Sequence, residues 1–234
     1  MTTSPLPAPT LFSLSELRAD RTLIASIIRL ANDAFIRPKR LDPVKWNITG
    51  LRFPTVDSYL EMLDEKSVVA LIFDDTAAND ETDLHEFHSN ETGNGRWTGK
   101  KVIACAAAVP WKGGWTKEGA GTEEGWEIKA VCVDGDAKYA RRGLAVQLLA
   151  VLEQCLVAQM KLQLRERVGG NGKELAQGRL TLWILAAECL NGVYWRKRGY
   201  QEVRRSTQGA GVWGCQTSFE IVVLKKDVQY DTAV

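Results

Sequence analysis

The sequence predicts a single α+β domain built on a mixed sheet with helices packed on it, and three observations carry that expectation. Two segments, around residues 21–36 and 144–160, place apolar residues at helical spacing. Short apolar runs, among them 67–75, 101–111, 126–134 and 180–187, are bounded by Pro, Gly or Asp and read as strands. The strand–helix unit does not repeat, because strands both precede and follow the long central helix, and this excludes a doubly wound parallel sheet. No internal repeat is visible.

Taken in order, residues 1–9 hold three prolines and are predicted to be a flexible tail, with the domain running from 10 to 234. "TLFSLSEL" alternates weakly as a first strand. Asp20 is a good N-cap for a helix that places Leu23, Ile24, Ile27, Ala31 and Phe35 on one face and stops at Pro38. A loop with Trp46 and Phe53 follows, then a short helix in "TVDSYLEMLDE" and the strand "SVVALIFDD". Residues 76–99 are polar, acidic and glycine-containing, the composition of an exposed insertion. "KVIACAAAVPW" is a strand ended by Pro110, and a second polar connection leads to the strand "WEIKAVCVD". Beyond Gly143, Leu144, Leu148, Leu149, Leu152, Cys155, Leu156 and Met160 form the apolar stripe of a long helix. "LTLWILAA" reads as a strand buried on both faces. A short helix ending at Gly199 and two strands around a glycine-rich turn complete the chain.

The chain has 234 residues, 45% of them hydrophobic and 25% charged, enough to bury a proper core. Thirty basic residues face 29 acidic ones, a net charge of +1, so no general polyanion-binding field arises and nucleic acid is not expected as a partner. Five cysteines without a CxxC pair suggest buried free thiols in a reducing compartment. The N-terminal stretch lacks a signal-peptide pattern, and no apolar run was expected to reach the ~20 residues that span a membrane. These readings predict a cytoplasmic chain, monomeric or homodimeric, with no membrane partner. "GAGVWG" at 209–214 has the spelling of a dinucleotide fingerprint but precedes a strand instead of opening a helix. His85 and His88, the only histidines, lie in the acidic insertion and are expected to be solvated, so no metal is expected.

"KYARRGLAVQLL" is different. Lys138, Arg141 and Arg142 meet Gly143 at the first turn of an amphipathic helix, where the helix dipole disfavours cations. Backbone N–H groups there form an anion nest, and small residues at 143 and 145 let an anion approach closely. The plain alternative is a tightly packed strand–loop–helix junction with solvated arginines.

The run "WEIKAVCVDGDAKYARRGLAVQLLAVLEQC" resembles the coenzyme A-binding segment of the GNAT superfamily of N-acetyltransferases, an apolar strand followed by R/Q-x-x-G-x-G/A opening a helix. Gly143 and Ala145 match the last two positions, and Ala140 stands at the first. "LTLWILAAECLNGVYWRKRGYQEVR" resembles the family's second signature, a strand and a helix ending in Y-x-x-x-G-F, with Trp195 at the tyrosine position and Gly199-Tyr200 at its end. The two signatures cover residues 126–204 in the family's order.

The resemblance implies a mostly antiparallel GNAT-type sheet and an acetyl-CoA-dependent transfer of an acetyl group to a primary amine, a small molecule in preference to a protein. It implies that Val131, Cys132 and Val133 pair with the pantetheine arm where their strand splays from the 180–187 strand. Lys138, Arg141, Arg142, Gly143, Leu144 and Ala145 would then hold the pyrophosphate, and Asn191 would complete the coenzyme site. Glu127, six residues before Val133, takes the position of the family's catalytic base. Strand alternation puts Glu127, Lys129, Val131 and Val133 on one face. A strand-end glutamate paired with Lys129 is the competing reading, and a water as base is another. Tyr194 is the candidate acid, though it precedes the family position by one residue, about 100° around a helix. Cys132 and Cys189 are expected to be buried small hydrophobes. Trp46, Phe53, Trp111, Trp115 and Trp213 are expected on the acceptor side. The alternative function is an inactive acyl-CoA sensor or partner-binding module of the same fold.

Overall fold

A computed structural model of the chain describes residues 8–75, 100–168 and 177–232. The predicted tail over 1–7, the 76–99 insertion with His85 and His88, and the glycine-rich link at 169–176 lie outside the described residues.

The chain opens with β1 (Thr10–Ser13) and turns at once into α1 (Leu14–Arg18). The longer first strand expected from "TLFSLSEL" is cut short by a capping box. The Ser13 hydroxyl accepts from the Glu16 amide, and the Glu16 carboxylate accepts from the Ser13 amide at 2.7 Å. Next, α2 (Arg21–Lys39) starts where expected, with the Asp20 carboxylate accepting from the Leu23 amide at 2.8 Å. It continues one residue past Pro38. A proline in the last turn removes one N–H but leaves the following amides free, and Arg40 still donates to the Ile36 carbonyl.

α3 (Val56–Leu60) is also boxed, with Thr55 as its N-cap. It is followed by β2 (Val68–Asp74), β3 (Lys101–Pro110) and β4 (Trp126–Val133). A single 3-10 turn leads to α4 (Leu144–Val168) and then β5 (Gln177–Ala187). A π-turn at Glu188–Gly192, the short α5 (Val193–Arg196), β6 (Gln201–Gln208) and β7 (Phe219–Asp231) complete the order. The turn 209–214 lies between β6 and β7, as its context required.

The seven strands form one sheet in the order β1-β2-β3-β4-β5-β7-β6, antiparallel throughout except for β4 against β5. The mixed, mostly antiparallel α+β architecture is the expected one. α4 packs on one face over Ile72, Ala104, Ile128 and Ile184, while α1, α2 and α3 pack on the other over Leu71, Cys105, Ala107 and Cys132.

Leu144, Leu148, Leu152 and Leu156 are the fully buried stripe of α4. One expectation changes here. Leu144–Glu166 is long and apolar enough to cross a membrane by length and composition, with a mean hydropathy of 1.3 over its window. Its interruptions are mostly uncharged glutamines and alanines, which break an apolar run by eye but weigh little in the average. Its leucine stripe faces the sheet core. The cysteines depart in one case too. Cys105, Cys132 and Cys215 are buried, but Cys189 is exposed, because the π-turn after β5 carries it outward.

The loop between α2 and α3 is pinned by a single buried amide. The Asn32 side chain donates to the Phe53 carbonyl and accepts from the Phe53 amide, both at 2.9 Å. Replacing Asn32 by Ala leaves two buried backbone groups unpaired, so Asn32→Ala is expected to lower stability by about 2–3 kcal/mol in urea denaturation.

Candidate active site

Pairing between β4 and β5 covers only Trp126↔Leu182 and Glu127↔Trp183, after which the strands diverge. β5 pairs with β7 over eleven positions, and β4 stays paired with β3. The divergence coincides with a bulge in β4. Ala107 faces Lys129 and Cys105 faces Cys132, so three residue steps on β4 oppose two on β3. Ala130 takes up the extra residue at φ +49°.

The bulge corrects the predicted alternation. Glu127, Lys129 and Cys132 face the α2 side, as their partners Val109, Ala107 and Cys105 do. Val131 and Val133 face the α4 side, so the four residues expected on one face are split two and two. A single inserted residue inverts every side chain beyond it.

A cavity of 460 Å³ fills the gap. Its floor is β4 from Glu127 to Cys132 and β5 from Ile184 to Ala187. Leu190, Asn191 and Trp195 border it from the segment after β5, and Lys39, Trp46, Arg52, Trp115 and Trp213 border it from the end of α2 and three loops. Of the residues expected along the pantetheine arm, Val131, Cys132 and Asn191 border this space. Val133 does not, and its carbonyl is already held by the Arg37 guanidinium at 2.9 Å. The Cys132 thiol points into the α2-side core, where a hydrogen bond with Cys105 and burial push its pKa well up. That removes it as a nucleophile.

Glu127 is 6% exposed. Burial raises its pKa, opposed by Lys129, whose ammonium lies 3.0 Å from the carboxylate, and by the more distant Arg52 and Lys112. The pair with Lys129 and the raised pKa therefore coexist, and the two sequence readings of this residue are not exclusive.

The predicted acid is placed differently. Tyr194 packs against the α4-side core, edge-on to Trp195 at 5.1 Å and under Arg198. Its hydroxyl is buried with no hydrogen-bond partner among the described residues, and it does not line the cavity. Trp195 takes the wall position.

At the far end of β4, the loop to α4 turns through left-handed backbone at Arg141 (φ +59°) and Gly143 (φ +73°). A Cβ built on Gly143 would meet nothing within 4 Å, so the glycine is needed for its backbone angle and the space above it is open. The first-turn amides of α4 have no intrahelical acceptors. Arg141 is exposed beside them. Lys138 is not a free cation. Its ammonium sits 3.5 Å from Asp74 and over the Tyr139 ring, and the Tyr139 hydroxyl donates to the same carboxylate at 2.5 Å.

The acceptor-side wall is stitched from two loops. Trp46 bridges Cys215 in antiparallel fashion, the Asn47 amide donates to the Gly214 carbonyl at 2.7 Å, and the Gln216 amide donates to Lys45 at 2.8 Å. Trp115 stands edge-on to Trp213 at 5.5 Å. Two of the expected aromatics serve elsewhere. Phe53 is buried beneath Arg52, and Trp111 stacks on Trp183 at 4.7 Å while donating to Glu123. Sequence reasoning named Lys129 as the partner of Glu127 but missed Arg52 and Lys39, because a lone cation in a loop or at a helix end carries no pattern.

No family model matches the chain, and no curated protein matches it by sequence. Solved structures do. A protein of Acinetobacter baylyi provisionally named an acetyltransferase superposes with a TM-score of 0.51 at 9% identity, covering 97% of this chain and 95% of that one. The fold is the GNAT-type N-acyltransferase fold. An acetyltransferase of the GNAT family from Streptococcus pneumoniae gives a TM-score of 0.47 at 10% identity, covering 94% of this chain and 99% of that one. The ribosomal-protein-alanine N-acetyltransferase of Brucella melitensis gives 0.46 at 14% identity, covering 94% and 99%. At 9% identity the likeness to the Acinetobacter protein carries the fold alone and nothing about substrate. Among the described residues no group of three or more His, Cys, Asp or Glu is placed to hold a metal.

The bulge and the buried carboxylate each give a measurable expectation. Ala130→Val puts a β-branched side chain at positive φ in a packed strand, and should cost about 2 kcal/mol or more in chemical denaturation. Glu127 binds its proton more tightly folded than unfolded. Its stabilising contribution is therefore complete below the ordinary 4.5 and lost as pH rises through its raised value. Glu127→Gln should flatten the stability–pH curve in that acid-to-neutral window, as read by melting temperature across pH.

Proposed function

We propose that the chain is an acetyl-CoA-dependent N-acetyltransferase acting on a primary amine of a small molecule. The observation that carries the reading is the β4–β5 gap. It starts at a buried carboxylate and runs along the β4 edge that β5 leaves unpaired, on the strand that leads through Val133 into the loop before α4. A flexible arm ending in pyrophosphate fits such a channel. Unpaired strand edges offer hydrogen bonds to an extended chain, and helix N-termini bind phosphate. The volume of 460 Å³ is in the range of small-ligand sites, about 300–1,000 Å³.

In this reading Val131 and Cys132 contribute backbone to the arm, and Asn191 borders the same space. Arg141, Arg142, Gly143, Leu144 and Ala145 receive the pyrophosphate. Lys138 contributes there while tethered to Asp74. When bound, acetyl-CoA supplies the activated acyl group. Glu127 takes the proton that the amine must lose before it attacks, and its raised pKa suits a base working near neutrality. Lys129 holds that carboxylate in place. Trp195 has no hydroxyl to give, and a thiol of pKa about 8.5 is a tolerable leaving group without an acid.

Calorimetry should detect acetyl-CoA binding to the wild type, weakened at least about tenfold by Gly143→Val, which forces a β-branched residue to positive φ beneath the phosphates. No coenzyme binding to the folded wild type would remove the reading. With an accepted amine, Glu127→Gln should lower kcat by about 100-fold at neutral pH with coenzyme affinity nearly unchanged. A fully active Gln variant would assign the proton to water.

A further inference from the structure

The acceptor end of the cavity holds more positive charge than it balances. Of its four charged residues, Lys39, Arg52, Glu127 and Lys129, the last two pair with each other. Lys39 and Arg52 remain, and neither makes an ion pair with a carboxylate among the described residues. The Arg52 guanidinium lies over the rings of Phe35 and Phe53, at 5.6 and 5.4 Å, and Asn32 clamps the backbone of Phe53. Its planar face is thus fixed by aromatic contact while its edge donors stay open to the cavity. Lys39 is held by donating to the Trp213 carbonyl at 2.5 Å and by lying 5.4 Å from the Trp46 ring. One carbonyl uses one of its three N–H donors.

Holding two cations in one cavity without a counter-ion is costly, and the chain shows that cost. Burial lowers the pKa of both; at Arg52 the Glu127 carboxylate, already paired with Lys129, opposes this without reversing it. Lys39 is lowered further by Arg52. Arg52 lines the cavity while remaining partly open to solvent, so an anion entering there meets an accessible guanidinium. An ammonium-bearing acceptor with no other charge would meet net repulsion on entry. One that also carries an anion would be drawn in and desolvated against a preformed partner.

We propose that Arg52, assisted by Lys39, is a carboxylate-binding subsite, and that the acceptor is an aromatic primary amine bearing a carboxylate. The three indoles of Trp46, Trp115 and Trp213 supply the aromatic contact surface. A guanidinium edge matches a carboxylate with two parallel N–H donors, which an ammonium cannot do. The same guanidinium leaves Glu127 free for the amine, because Lys129 already neutralises that carboxylate. The word acceptor rests on the acetyltransferase reading; the anion subsite itself does not.

The test therefore measures binding without turnover. N-acetylphenylalanine and N-acetylphenethylamine, which differ only by the carboxylate, are titrated into the full chain and followed by tryptophan fluorescence and calorimetry. The wild type should bind the acid at least about tenfold more tightly than the neutral amide, a typical margin for a charge-assisted pair. In Arg52→Gln that ratio should fall below about threefold, and Lys39→Gln should give an intermediate value. Both variants are checked for cooperative melting. Equal or weaker binding of the acid by the wild type overturns the proposal, as does a Gln variant at position 52 that keeps the full ratio. Failure of the acetyltransferase reading shows instead as absent acetyl-CoA binding, a separate titration.

Discussion

The site depends on β4 having one full-length partner and not two. β3 holds β4 along its length, while β5 is committed to β7 over eleven positions, so β4 and β5 share only two residue pairs. The sheet is thus two stable halves meeting at a short hinge near Glu127. Beyond that hinge the backbone edges need partners from elsewhere, since a buried N–H or C=O without one is costly. A gap with walls supported from behind is rigid, and it can remain open without collapsing onto its own core. The bulge at Ala130 follows from the same constraint. It turns β4 away from β5 and redirects the side chains past it, leaving Val131 and Val133 over the α4 leucines and Cys132 against Cys105.

Charge is distributed with similar economy. The chain as a whole is nearly neutral, at +1, yet two places hold cations near open space. One is the α4 N-terminus, where Arg141 is exposed beside first-turn amides and Lys138 is tethered to Asp74. The other is the acceptor wall, where Lys39 and Arg52 are held by carbonyl and aromatic contacts in place of carboxylates. Around β6 the arginines pair with carboxylates. Arg196 and Arg205 share Glu188, Glu202 and Glu220 at the end of β6, and Arg204 binds Glu123. Lys39 and Arg52 differ from these in lining a cavity with no such ion pair among the described residues.

Much of the fold was legible because it rests on local rules. Helix starts at Asp20, Thr55 and Gly143 announce themselves through capping and positive-φ residues, and the leucine stripe of α4 is a period anyone can count. The S-x-x-E box at Ser13 was equally readable, and it ended the first strand where alternation alone would have extended it. The glycine turn that opens α4 was legible as well, and Trp46, Trp115 and Trp213 do line the cavity, whereas Phe53 and Trp111 are held elsewhere.

What the sequence by itself determined is therefore the kinds of element, their order, the core stripe and the left-handed glycine turn that opens α4. The tertiary structure decided which side chains share a wall. The bulge at Ala130 has no residue signature, because alanine is not a preferred left-handed residue, and the strain is imposed by the mismatch between β3 and β4. It moved Val131 and Val133 away from Glu127. Tyr194 and Trp195 are one position apart on a short helix, and only the packing of α5 puts the buried indole of Trp195 on the cavity wall and leaves the phenol of Tyr194 off it. Arg52, Lys39 and Lys129 are distant in sequence and converge through Asn32, the Trp213 turn and a single β-pair. Contacts between segments so far apart depend on the register of the sheet, and register is a property of the assembled strands together.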